Sequence, residues 1–138
     1  MGLFSLFKKS QKSPDLPRLE PSQEWHYHTR DAEEMSTLKI LKIENEEGHG
    51  RIVHIAISGL KIKNPNHPTG FTDEILHLPV TEEFVCNSIT TLVQVNGALP
   101  DYASGYEQWK SAFEAKKAGV FKMPIAEIVL FIEKTLTP

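Results

Sequence analysis

One cysteine, Cys86, is all that this 138-residue chain has for cross-linking. No internal disulfide can staple it, which fits a reducing compartment and argues against a disulfide-built secreted domain. Long apolar runs are missing too. None approaches the ~20 residues that a membrane-spanning helix needs. The opening Met-Gly-Leu-Phe-Ser-Leu-Phe-Lys-Lys puts its charges after a short apolar stretch, the reverse of a secretory leader. The expectation is a soluble, cytoplasmic protein.

Motifs of several chemistries are lacking as well. The glycines never form a Gly-x-Gly-x-x-Gly fingerprint or a phosphate-cradling loop. Ser58-Gly59 and Ser104-Gly105 lack the Gly-x-Ser-x-Gly elbow of a nucleophilic serine. Cys86 follows Glu82 and Glu83 by one turn, and their negative charge opposes a reactive thiolate. Internal repeats and low-complexity tracts are absent.

Charge is unevenly spread. Residues 1–18 carry Lys8, Lys9, Lys12 and Arg18 against Asp15, a sum of +3, so the net −3 of the whole leaves −6 on the remainder. An acidic body suits nucleic acid poorly, because that binding rests on neutralising phosphates. No nucleic acid is expected as a partner.

What is present is enough for one domain with an ordinary core. Residues 1–23 read as a basic tail and a linker containing Pro14, Pro17 and Pro21, and residues 24–138 as a single α+β domain. Were Leu3 to Lys9 helical, Leu3, Phe4, Leu6 and Phe7 would cover one side, with Lys8 and Lys9 opposite, the pattern of a membrane-surface anchor.

A small antiparallel sheet of about three strands is expected from the N-terminal half. The first strand runs over 24–29, with Trp25, Tyr27 and Thr29 on one side and His26 and His28 on the other. The second runs over 37–44, with an alternation that slips between Ile40 and Leu41 as a bulge would make it. A polar hairpin tip, Asn45 to Gly50, leads to the third, 51–62. There Val53, Ile55 and Ile57 share a face, which Leu60 and Ile62 rejoin if Gly59 is bulged, and His54, Ala56 and Ser58 face the wet side.

About three helices from the C-terminal half are expected to cover that sheet. A long loop, 63–80, comes first, with one capped turn at Thr72-Asp73-Glu74. A helix over 81–96 follows, despite its many β-branched residues. The next helix begins at Pro100-Asp101, ends at Gly119 and aligns Tyr102, Tyr106, Trp109 and Phe113 in one stripe. Core packing explains that stripe better than ligand stacking does. Val120 to Met123 reads as a short addition to the sheet edge. Pro124 opens the last helix, whose Ile125, Ile128, Val129, Ile132 and Leu136 face the aromatic stripe. Leu130 and Phe131 lie off that face, which suits a homodimer contact.

The functional expectation is a binding or interaction protein of adaptor or immunity type that carries no catalysis. Its contact surface would combine the hairpin tip (Glu46, Glu47, His49) with the long loop (Asn66, His67, Phe71, Asp73, Glu74), offered to a basic partner protein. The first alternative is a metal-assisted hydrolase, with His67, Asp73 and His77 holding zinc. No other cofactor is expected. A second alternative is peripheral membrane association through residues 3–9.

Overall fold

A computed structural model describes residues 17–137. The proposed membrane-contact residues Leu3, Phe4, Leu6, Phe7, Lys8 and Lys9 lie outside them. Among the described residues the fold is α+β, with one five-stranded antiparallel sheet and three helices. The strands are β1 (Glu24–Tyr27), β2 (Thr37–Glu46), β3 (Gly50–Lys63), β4 (Phe71–Thr81) and β5 (Ile89–Gln94). The helices are α1 (Glu82–Ser88), α2 (Ala103–Glu114) and α3 (Ile125–Leu136). Strand order across the sheet is β4-β3-β2-β1-β5. Among the described residues no helix is long and apolar enough to cross a membrane.

Five strands stand where about three were expected, and both additions correct a specific reading. Most of the expected 63–80 loop is β4, and only its first part turns. Asn64 to Gly70 is a tight connection in which Asn64 N–H donates to the Gly70 carbonyl at 2.9 Å and His67 N–H to that of Asn64 at 3.0 Å. The helical turn expected at Thr72-Asp73-Glu74 is therefore strand. The expected 81–96 helix stops at Ser88, and its second half is β5, paired with β1. Its β-branched run belongs to a pleated strand and not to a helix.

Other features match the sequence pattern. The slip at Ile40/Leu41 is a bulge against β3, with Ile40 opposite Ile55 but Lys42 opposite His54. Gly59 sits at φ +78° within a second irregularity, between β3 and β4, and Leu60 and Ile62 return to the core. Phe121 extends the sheet edge as a parallel bridge to Val80. There Thr81 N–H donates to the Phe121 carbonyl at 3.1 Å, and Phe121 N–H donates to that of Pro79 at 2.9 Å.

The sheet is covered on both faces, and this overturns the expected pairing of aromatics with aliphatics. The main core joins Leu38, Ile40, Val53, Ile55, Ile57 and Val80 of the sheet to Val85 of α1 and to Ile125, Ile128 and Val129 of α3. Helix α2 lies on the other face, above Glu44, His54 and His77. The stripe and the last helix never meet, because the sheet stands between them. The packed chain also starts earlier than residue 24, since Leu19 belongs to the core at 3% exposure and Ser22 N–H donates to the Ile40 carbonyl.

At the far end of β3, Arg30 ties the apolar layer shut. Its guanidinium grips Glu33 through two hydrogen bonds of 2.8 and 2.7 Å and reaches Glu133 of α3 at 3.0 Å. The two carboxylates also accept the Lys61 and Lys63 N–H groups. Burial would raise the Glu33 carboxyl, but these donors outweigh it and hold it below the usual carboxylate range.

Gly59 is fixed twice over. Its φ favours glycine, and a Cβ there would come within 3.0 Å of the Ser36 Cα. Gly59→Ala is expected to cost about 1–3 kcal/mol, read as a lower urea midpoint with an unchanged slope. A cost below a few tenths of a kcal/mol would show that the Ser36 backbone yields freely.

Candidate functional site

The outer face of the sheet holds a chain of titratable side chains drawn from three strands and capped by α2. The bulge at Leu41 builds it. In plain alternation Leu38 and Ile40 would be followed into the core by Lys42 and Glu44. The extra residue instead sends Ile43 to the core, opposite Val53, and turns Lys42 and Glu44 outward beside His54. A further irregularity in β4, between Ile75 and Leu78, sets Leu76 and His77 beside Ala56.

Glu44 is the hub. Its carboxylate lies 2.6 Å from His54 Nε2 and accepts from the Tyr106 hydroxyl at 3.0 and 3.1 Å and from Lys110 Nζ at 3.2 Å. Lys110 also reaches Glu46 at 2.6 Å. His54 Nδ1 is 2.8 Å from His77 Nε2, and the two rings stack at 16°.

These contacts assign the tautomers. A charged carboxylate only accepts, so His54 donates from Nε2. Its Nδ1 is then the acceptor, and His77 donates to it from Nε2. The remaining His77 nitrogen, Nδ1, carries a lone pair with no partner among the described residues. The chain therefore has a direction, from His77 inward through His54 to Glu44.

The electrostatics follow from burial. His54 is fully buried, and burial, opposed by Glu44, pushes its pKa below the ordinary histidine value. His77 is lowered to about 4, chiefly by burial and then by the neighbouring His54. Burial would raise Glu44, but the bonds from His54, Lys110 and Tyr106 leave it lowered. Tyr106 is raised to about 12 by burial and by Glu44. At neutral pH both imidazoles are neutral and the carboxylate is charged.

Aromatic rings roof the chain. Tyr106 and Trp109 meet the His54 ring edge to face, with centroids 5.0 and 4.9 Å away. Phe113 stacks on Trp109 at 4.7 Å. The indole N–H donates to the Gly119 carbonyl at 2.8 Å. Beside Trp109 lies a hollow of about 360 Å³ lined by Pro79, Ala118, Gly119, Val120 and Phe121, with no ionisable side chain in its wall.

His54, expected on a wet side, is thus the most enclosed member of the set. His26 and His28 stay at the surface. The proposed zinc ligands do not converge. His67 bonds Thr69 in the exposed turn, Asp73 is exposed on β4, and His77 is committed to His54. Among the described residues no three of His, Cys, Asp and Glu are placed to hold a metal.

The expected contact surface is also divided. Glu46, Glu47 and His49 lie at the start of β3, and the 64–70 turn lies at its end. Fourteen residues of strand separate them, about 40 Å at ~3.3 Å per residue. At the first end Glu46 is held by Lys110, His49 packs on Phe113 with centroids 5.0 Å apart, and Glu47 is exposed. At the other end Asn66, His67, Phe71, Asp73 and Glu74 are all exposed, in the turn and the first half of β4. Leu130 and Phe131 of α3 are exposed at 41% and 51%.

Comparison of the chain with models of protein families, with curated proteins and with solved structures found no match.

Glu44→Ala removes the acceptor shared by His54, Tyr106 and Lys110. The expected loss is about 2–3 kcal/mol, the scale of hydrogen bonds to a charged group, with Glu44→Gln losing less because its amide oxygen still accepts. Urea unfolding of both variants checks this. Equal losses would mean that the carboxylate charge contributes nothing.

Proposed function

We propose that this chain is a cytoplasmic, non-catalytic binding protein that takes an extended, basic segment of a partner protein along the free edge of β4. The observation that carries this reading is the make-up of that edge. Phe71 and Leu76, each 49% exposed, bracket the exposed carboxylates of Asp73 and Glu74 on an outermost strand. The outward N–H and C=O groups of 71–78 have no strand beyond them among the described residues. Only from Pro79 onward does Phe121 cover the edge.

An open edge of this kind invites strand addition. Backbone hydrogen bonds supply affinity, and alternate side chains supply specificity. Apolar side chains beside carboxylates call for a partner that alternates apolar residues with lysine or arginine. The acidic balance of the chain favours the encounter. The Asn64–Gly70 turn, closed by its own hydrogen bonds, holds the entry to the edge in one shape. Pre-ordering of this sort lowers the entropic cost of binding.

Selection from a random peptide library displayed on phage tests this reading. The enriched peptides are expected to alternate basic and apolar residues and to shift the amide resonances of residues 71–78. Asp73→Lys with Glu74→Lys should weaken such a peptide about tenfold or more, while the melting temperature stays put, since both side chains are exposed. Peptides without basic residues, or affinity indifferent to the charge reversal, would remove the β4 edge as the site.

A further inference from the structure

We propose that α2 is an acid-released cover, detached from the outer face of the sheet by protons entering the Glu44–His54–His77 chain while the opposite, apolar layer stays folded. This inference is independent of the β4-edge reading. It starts from how α2 is held. Trp109 is the only buried residue of α2. The remaining ties are ring contacts, Tyr106 on His54 and Phe113 on His49, and polar bonds that converge on one place: Tyr106 and Lys110 on Glu44, Lys110 on Glu46, and the Tyr102 hydroxyl on the Leu41 carbonyl at 3.4 Å. A helix of 12 residues is marginal in water without such contacts.

The groups that face the histidine pair come from every element around it. Strand β2 contributes Lys42, Glu44 and Glu46, and α2 contributes Tyr106, Trp109 and Lys110. Lys42 lies 5.4 Å from the Tyr106 ring centroid. With both imidazoles neutral, the two lysines and two glutamates balance. A first proton enters at His77 Nδ1 and leaves every hydrogen bond in place, but it adds a positive charge with no new counter-ion among the Tyr106, Trp109 and His54 rings. A second proton requires N–H groups on both sides of the 2.8 Å contact between His54 and His77. Two donors cannot share that contact, and the chain breaks.

The sign of the pH dependence is fixed by which state takes protons more readily. His77 is held near 4 with α2 docked, and an exposed imidazole titrates near ~6.5, so the detached state binds the proton better. The docking free energy is complete above about pH 6.5 and is lost as pH falls toward about 4. No histidine lies in the other layer, which α1 and α3 close with Val85, Ile125, Ile128 and Val129. Local opening of the weaker layer is the physical consequence.

An acid titration of the full chain followed by ¹H–¹⁵N correlation spectra tests this. The amides of 103–114 are expected to leave their native positions between about pH 6.5 and about 4. Those of Val53, Ile55, Ile57, Ile128 and Val129 should stay. His77→Gln keeps a polar side chain without a titrating ring and should move the α2 midpoint to lower pH. His26→Gln, on the exposed side of β1, should leave it unmoved. The unaltered protein gives a second readout, because the imidazole resonances of His54 and His77 should titrate together with α2 release. Loss of both layers at one pH, α2 amides that stay native throughout, an unmoved midpoint in His77→Gln, or histidine titration apart from α2 release would each overturn the proposal.

Discussion

The outer half of this fold hangs on one carboxylate. Glu44 accepts hydrogen bonds from β3 through His54 and from α2 through both Tyr106 and Lys110. Its negative charge fixes the tautomer of His54, and His54 in turn fixes that of His77. A low-dielectric setting makes each of these bonds stronger and makes the loss of any partner costlier. The carboxylate can stand there only because β2 is bulged at Leu41. The bulge is therefore not an irregularity at the margin but the step that converts a core-facing position into an outward one.

The two faces of the sheet are stabilised by different physics. On the inner face, fully buried aliphatic side chains of three strands meet α1 and α3, and the favourable term is apolar surface removed from water. On the outer face a helix with one buried side chain is positioned by directed hydrogen bonds and by ring contacts. Apolar contact is insensitive to pH, whereas a hydrogen-bonded histidine chain is not. The Arg30–Glu33–Glu133 cluster joins the far end of β3 to α3 and so belongs to the inner layer.

Much of this was legible in the sequence. The alternation slip at Ile40/Leu41, the glycine at 59 and the short extended piece before Pro124 each mapped onto an observed feature. Two strands were hidden for physical reasons. Proline interrupts strand patterns, so Pro79 disguised β4. It is tolerated there because β4 is an edge strand, where a missing N–H breaks no ladder. The helix-to-strand change at Ser88–Ile89 carries no glycine or proline, and Val85, Ile89, Leu92 and Val93 fit one helical face as well as they fit a strand. The end of α2 misled in the opposite sense. The chain turns at Lys116, at φ +63°, with Lys117 N–H bonded to the Ala112 carbonyl and Lys116 N–H to that of Phe113. That is a helix end normally built with glycine, made here by a lysine three residues before Gly119.

The site was legible in its parts and not in its assembly. The face of β3 that bears His54 follows from alternation, and the outward turn of Glu44 follows from the slip at Leu41. Joining the two needed only the register of β2 on β3. His77 could not be added, because a residue assigned to a loop has no face. The spacing of Tyr106, Trp109 and Phe113 gives the stripe, but spacing cannot say what lies beneath it. Buried polar clusters are often no more stabilising than apolar replacements of the same volume. What such a cluster does provide is direction. Both His54 ring nitrogens, the Tyr106 hydroxyl and the Glu44 carboxylate oxygens are committed to set partners, so α2 has one seating over His54, whereas a purely apolar stripe on an apolar sheet could settle in several.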